Sequence, residues 1–364
     1  MIGDGMGPNQ VNMAHDSKGS NLNMENTPYQ GTSATANASG GITDSAAGGT
    51  ALACGVKTTN GYVGMNPAQQ AIPNLREYFA GMGKKTGMIT TVNVTDATPA
   101  AFGAHNINRY NPLAIAEDYI NNEIDIIMGG GAANFSTAIR DIAVNEKGYS
   151  LISTKDQLLA TSADKLLALF TPGDFPYYID GYPSNIPTLE EMTTKCIEIL
   201  NKNASGFFLM VEGGAIDHAG HANLIPENIG ETLEFDKAVK VAMDFAASDG
   251  NTLVIITADH ETGALQKNGT TYTFTSDYHS LVNVPVFATG AGASNFTGDM
   301  VNTEINAKIK QLLESSATLY KTPGASDVNP RDNTEDNPMI LFVLLILGIT
   351  AAISYAIVFR KAKN

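Results

Sequence analysis

The sequence predicts an α/β fold: a largely parallel central sheet with helices on both faces, followed by a C-terminal transmembrane helix. Three observations predict it. Short apolar runs at residues 1–2, 85–92, 207–211 and 251–258 each end in acidic, hydroxyl or imidazole residues close to glycine or other small residues. In open α/β sheets the strand ends are where ligands bind. Stretches with helical spacing alternate with these runs, which argues for parallel strands covered on both sides. Finally, residues 339–359 carry no charge and are followed at once by Arg360, Lys361 and Lys363. A bilayer core needs roughly 20 such residues of helix.

The chain is organised around residues 207–221, FFLMVEGGAIDHAGH. The apolar run stops at Glu212, two glycines follow, and Asp217 and His221 then lie four residues apart. On a helix that spacing puts both on one face. A carboxylate and an imidazole on one face, with a second carboxylate upstream, is the spacing of metal ligands. The pattern recurs at Asp4 after residues 1–2, at Asp96 and Thr98 after 85–92, and at Asp259 and His260 after 251–258. If these ends meet, the sheet edge gathers Asp4, Asp96, Thr98, Glu212, Asp217, His221, Asp259 and His260. That set exceeds one ion and suits two or three.

Taken in order, the chain begins with a strand end and a glycine turn holding Asp4. Residues 8–41 read as a polar loop. Residues 43–56 are nearly all small and read as a closely packed helix with Asp44 and Ser45 at its start. A helix N-terminus favours negative charge, so Ser45 there is placed to carry a phosphoryl group; the plainer reading is an N-cap. Helices are expected over 72–82, 112–122, 188–200 and 231–247, and a last one striped by Ile305, Ile309, Leu312 and Leu313. Residues 124–128 read as a strand ending in three glycines, and 284–288 as a final buried strand. Residues 136–187 read as an insertion over the sheet edge, without a ligand pattern. Residues 322–337, rich in Pro, Gly, Asp and Asn, read as a linker.

The formal net charge of -15 argues against a nucleic-acid partner and reads as a solvated acidic surface. Two cysteines, Cys54 and Cys196, make no disulfide framework; Cys54 reads as a buried thiol, and whether it pairs with Cys196 stays open. At the C-terminus, residues 338–359 read as the transmembrane helix and 360–364 as a basic cytoplasmic tail. The positive residues stay inside, so residues 1–321 are expected as a membrane-anchored domain facing outward, periplasmic or at the cell surface. A core helix seldom runs this long without a polar face, and a lipid-anchor signal usually ends apolar. An outward domain needs an export signal, and none precedes Gly3. The expectation is an N-terminus truncated within strand one, with weakened metal binding as a consequence.

At this point six blocks carry a resemblance. IGDGMG, TDSAAGGTALACGVKT, TDATPAAFGAHNINR, VEGGAIDHAGH, TADHETG and YHSLVNVPVFATG resemble, in order, the signature blocks of the alkaline phosphatases. They span residues 1–290. The resemblance implies hydrolysis of phosphate monoesters through a phosphoserine intermediate, with two Zn2+ and one Mg2+. It implies one zinc held by Asp217, His221 and His279. The second zinc falls to Asp4, Asp259 and His260 beside Ser45, and the magnesium to Asp4, Thr98 and Glu212. Asp96 would act through water rather than directly, and Arg109 would grip the phosphate. His218 stands where similar enzymes carry Lys or His; beside Asp96 it leaves the third metal's identity and the pH optimum open. His15 and His105 are expected to be structural. The resemblance leaves room for a homodimer. Two alternatives remain at this stage: a phosphodiesterase or other phosphotransferase of the same superfamily, and a catalytically silent membrane-tethered binder of phosphate or metal. Ser45 with Thr98 and Glu212 favours the monoesterase.

Overall fold

The computed structural model describes residues 1–319. The chain opens with a two-residue strand, β1 (Ile2–Gly3), and a helix, α1 (Pro8–Lys18). Strand β2 (Tyr29–Ala34) precedes α2 (Ser45–Cys54) and α3 (Leu75–Gly81). Then come β3 (Lys85–Asn93), α4 (Ala97–Gly103), α5 (Pro112–Asn121) and β4 (Ile126–Gly130). The next segment holds α6 (Thr137–Asp141), β5 (Ser150–Ile152), α7 (Lys155–Ala160) and β6 (Leu166–Leu169). Helix α8 (Leu189–Leu200) leads into β7 (Phe207–Gly213), α9 (Ala215–His221) and the long α10 (Ile225–Asp249). Strands β8 (Leu253–Ile256), β9 (Glu261–Thr262), β10 (Gln266–Asn268), β11 (Thr271–Thr273), β12 (His279–Ser280), β13 (Val284–Gly290) and β14 (Gly298–Val301) follow, and α11 (Asn302–Leu319) ends the described part.

The main sheet has the order β1-β7-β3-β4-β6-β5, and every pairing in it is parallel. A second sheet, β14-β2-β13-β8, is mixed. The two join where Ile2 bridges Thr257 in parallel, with Gly3 N donating to Thr257 O at 2.9 Å. The ends of β8, β1, β7 and β3 therefore lie side by side, as the strand-end reading requires.

Strand alternation explains why both faces are covered. Successive side chains point to opposite faces. Met88, Ile127, Leu167 and Met210 join a core with α2, α3, α4 and α5; Ile89, Met128, Ala168 and Val211 join another with α1, α8 and α10. Both faces are apolar, so the strands read as continuous runs instead of alternating ones.

Local signals fix several helix ends. Asn74 with Glu77 and Thr188 with Glu191 form capping boxes at α3 and α8. Helix α2 is buried along its whole length. A Cβ on Gly48 would stand 2.9 Å from the backbone oxygen of Asp259, and one on Gly49 would stand 3.3 Å from the Cα of Thr98. The small-residue run thus lets α2 reach two of the strand-end segments at backbone distance.

Two expectations are corrected. Residues 8–41 are not a loop: they hold α1 and β2. Pro8 starts α1 and Gly19, left-handed at φ 71, ends it. The helix is polar in composition, yet Gln10 is buried because it donates to Glu261 Oε1 at 2.9 Å and Thr262 O at 2.7 Å. Residues 136–187 do not lie over the sheet edge; their β5 and β6 form it, and Leu166–Leu169 is fully buried. Sequence alternation gives no sign of a four-residue strand buried on both faces.

Met1–Glu314 forms one unit and Ser315–Asn364 a second. Among the described residues no helix is long and apolar enough to cross a membrane. The expected linker at 322–337, span at 338–359 and basic tail at 360–364 lie outside the described residues.

Candidate active site and metal centre

Strand ends and helix starts deliver the side chains. Asp4 follows β1, Glu212 sits near the end of β7, and Asp217, His218 and His221 lie on α9. Asp259 and His260 follow β8, and His279 opens β12. Ser45 is the first residue of α2. Asp44, not Ser45, is the N-cap, its side chain accepting from Ala47 N at 2.9 Å. Asp96 caps α4, on which Thr98 lies.

Two ligand groups form. Asp217, His221 and His279 offer donor atoms within 4.8 Å of one another, and so do Asp4, Asp259 and His260. In the first group His221 Nε2 lies 3.3 Å from Asp217 Oδ2 and His279 Nε2 lies 3.6 Å from Asp217 Oδ1. In the second, His260 Nε2 lies 3.1 Å from Asp259 Oδ2 and 3.6 Å from Asp4 Oδ1. The groups abut: the His260 and His279 rings stack at 3.5 Å. Ser45 Oγ lies 3.2 Å from His260 Nε2. Thr98 Oγ1 donates to Asp4 Oδ2 at 3.0 Å, and Glu212 is buried in the same field.

The donor sets fit cations on three counts. First, His221 Nδ1 bonds Asp277 O at 2.6 Å and His279 Nδ1 bonds Thr43 O at 2.9 Å. A carbonyl only accepts, so both Nδ1 atoms carry protons, and each ring when neutral turns an Nε2 lone pair inward. Those Nε2 atoms stand 2.9 Å apart beside Asp217, a pair that calls for a shared positive charge, and the bond to Asp217 already raises His221 above its usual range. Second, Asp4 Oδ1, Asp259 Oδ2 and both Glu212 oxygens are buried without a hydrogen-bond partner. Third, burial together with Asp259, Asp217 and Glu212 raises the Asp4 carboxyl well above its usual range. Burial and the charge of Asp217 push Asp259 up to about 7. Burial, with Asp96 and Asp259, raises Glu212 well above its usual range. His260 is held low by burial and then by His279. A His260 imidazole held low among carboxylates that resist ionisation together is a set that divalent cations complete.

Beside this lies a charged relay. Arg109 donates from Nη1 to Asp44 Oδ2 at 3.2 Å and from Nη2 to Asp96 Oδ1 at 3.1 Å. Asp96 Oδ2 stands 3.8 Å from His218 Nε2, and Asp174 Oδ2 stands 3.8 Å from His218 Nδ1. Burial alone would lower His218; the pairing with Asp96 outweighs it and raises the group to about 9. Burial would raise Asp96, and His218 and Arg109 instead hold it below its usual range.

The family profile described as alkaline phosphatase matches residues 1–276. The chain belongs to the alkaline phosphatase family. Alkaline phosphatase 4 of Bacillus subtilis (strain 168) is 35% identical over 352 residues, covering 90% of this chain and 76% of that relative. The structure of alkaline phosphatase from the Antarctic bacterium TAB5 superposes with a TM-score of 0.79 at 33% identity, covering 86% of this chain and 96% of that one. A variant of the TAB5 enzyme with Mg bound in its M3 site matches with a TM-score of 0.78 at 32% identity, over the same shares of 86% and 96%. This family member is an enzyme, a phosphatase with an α/β fold and a parallel central sheet.

The structure brings together every site residue that the sequence put forward. It also adds some. Asp44 holds Arg109 as well as capping α2. Asp174 comes from the segment that showed no ligand pattern, and nothing local in Thr-Pro-Gly-Asp announces it. Thr262 lines the far side of the site, its Oγ1 bonded to Asp217 Oδ1; strand alternation from His260 could have found it, because positions i and i+2 share a face. His15 pairs with Glu25 at 2.8 Å and His105 with Glu77 at 3.0 Å, away from the ligand groups, as expected of structural histidines. Cys54 and Cys196 are both buried and free.

Proposed function

We propose that this chain hydrolyses phosphate monoesters through a phosphoserine intermediate on Ser45, at a site for two zinc ions and one magnesium ion. The observation that carries the reading is the facing pair of Nε2 atoms of His221 and His279, 2.9 Å apart beside Asp217, with both Nδ1 atoms bound to carbonyls. On this reading Asp217, His221 and His279 hold one zinc, and Asp4, Asp259 and His260 the other. Asp4, Thr98 and Glu212 hold magnesium. The donors sort by chemistry: zinc takes imidazole and carboxylate, while magnesium prefers oxygen alone. When bound, such ions ease deprotonation of an attacking hydroxyl and neutralise a departing oxygen.

The chain's own groups do the rest. Ser45 Oγ forms a bond to phosphorus as the ester P–O bond breaks, and water then attacks the same phosphorus and releases Ser45 Oγ. At the first position of α2, Ser45 stands where free backbone N–H groups and the positive end of the helix dipole favour an anion. Arg109 offers a planar fork for two phosphate oxygens, and Asp44 and Asp96 hold its guanidinium in place. Asp96 and His218 adjoin the magnesium donors, with Asp96 acting through water. The Mg found in the M3 site of the TAB5 variant supports a third ion here.

A panel of chromogenic esters tests the reading. Monoesters are expected to turn over at least about 100-fold faster than diesters of the same alcohol, a difference of roughly 2.7 kcal/mol in transition-state stabilisation. Faster diester turnover would assign the chain to another branch of the superfamily.

We also propose that the enzyme is membrane-anchored with its catalytic domain extracytoplasmic. The support is the uncharged stretch 339–359 with Arg360, Lys361 and Lys363 behind it and Asp332, Glu335 and Asp336 ahead. The full chain is expected to sediment with membranes and a chain ending at Lys321 to stay in the supernatant. Equal partitioning of the two would remove the anchor.

A further inference from the structure

Thr262 is fully buried and touches each element that carries zinc donors. Its Oγ1 donates to Asp217 Oδ1. The same oxygen lies 3.2 Å from His260 Nδ1. Its backbone N donates to Gly5 O at 3.1 Å, one residue beyond Asp4, and it pairs across the β9–β12 ladder with His279. The surroundings are shaped to this side chain. A Cβ on Gly5 would stand 2.7 Å from Thr262 Oγ1, and one on Gly220 would stand 3.0 Å from Thr262 Cγ2.

A threonine hydroxyl has one proton to give. A carboxylate can only accept, so that proton goes to Asp217. The oxygen is then left as an acceptor, and the bond to His260 must come from a proton on Nδ1. His260 Nε2 keeps its lone pair as a result, and this is the atom that faces Asp4, Asp259 and Ser45. We propose that Thr262 is a positioning residue that joins the two zinc sites, its hydroxyl orienting Asp217 of one while fixing the ring tautomer of His260 in the other. The inference rests on the reading of these two groups as zinc sites. Partners of this kind set ligand orientation and basicity, and their loss typically costs roughly 10–100-fold in metal affinity. Because one hydroxyl serves both sites, both weaken together.

The test uses the full chain, stripped with a chelator and titrated with zinc alone. Thr262→Val keeps the shape and removes the hydroxyl; Thr262→Ser restores it. The unaltered chain is expected to take up zinc at both sites. Thr262→Val should bind at both roughly 10–100-fold more weakly, and Thr262→Ser should lie close to the unaltered chain. Independently, nitrogen NMR of the metal-free unaltered chain should find the His260 ring proton on Nδ1, with the signal assigned by its loss in His260→Gln. Thr262→Val binding as tightly as the unaltered chain, Thr262→Ser as weak as Thr262→Val, or a proton on Nε2 would each overturn the proposal. If Thr262→Val fails to fold, the NMR measurement and Thr262→Ser decide. No zinc uptake by the unaltered chain would bring down the zinc reading itself. Normal uptake with an indifferent Thr262→Val would bring down only the role of Thr262.

Discussion

Replacing Ser45 by alanine is expected to abolish the burst of product on mixing with a chromogenic monoester and to lower kcat by on the order of 10^4-fold or more. Zinc content should not change. The structure separates these two effects. Asp44 supplies the N-cap of α2, so alanine at the next position keeps the cap and is itself the best helix former. The candidate donors of both ligand groups are other side chains, with Ser45 Oγ beside His260 at 3.2 Å. What the substitution removes is the oxygen that would bond to phosphorus. Residual turnover would come from Arg109 and the ions alone, since electrostatic stabilisation survives loss of a nucleophile. Stopped-flow mixing gives the burst and metal analysis gives the content. A full burst from Ser45→Ala would move the nucleophile elsewhere.

Stripping the ions with a chelator should cost at least about 10^3-fold in kcat, given the several kcal/mol that metal charge supplies to such a transition state. It should also give the stripped chain a particular pH dependence. Asp259 is raised from 3.8 to about 7, and Asp4 and Glu212 are raised as well. An acid whose folded pKa is raised binds its proton more tightly folded than unfolded. Its contribution is therefore complete below the unfolded value of about 4 and is lost as pH rises through the folded one. The stripped chain should lose stability steadily between about pH 4 and pH 7, and somewhat beyond. Adding zinc and magnesium should cancel this trend, because cations favour the ionised carboxylates. Denaturant melts at about pH 5 and pH 8, with and without ions, read both effects. A stripped chain that is more stable at the higher pH would show that these carboxyls do not outweigh the His260 and His279 imidazoles, which burial holds low and which gain stability as pH rises.

Much of the site was legible because its chemistry is carried by short local blocks. Asp217 and His221 are four apart on one helix, Asp259 and His260 are adjacent, and Glu212 ends a strand, so residue type and spacing alone reveal donors. The strand ends could be read because parallel strands buried on both faces are plain apolar runs, and their register follows from alternation. The sequence by itself thus determined the parallel sheet, the candidate donors and the resemblance to one family. What it could not determine were contacts made across the sheet. Helix α1 and strand β2 read as loop because their polar residues are satisfied by distant partners, Gln10 by Glu261 and β2 by its place between β13 and β14. Strand β5 at the sheet edge and its neighbour β6 were hidden because a strand of three or four residues has too few positions to show a period. Asp174 reaches His218 only because those strands carry its loop to the site. The hydroxyl of Thr262 acquires direction only once Asp217 and His260, 45 residues and two residues away, close on it. Side-chain type is local and survives in the sequence; hydrogen-bond direction depends on which acceptor arrives, and only the folded chain decides that.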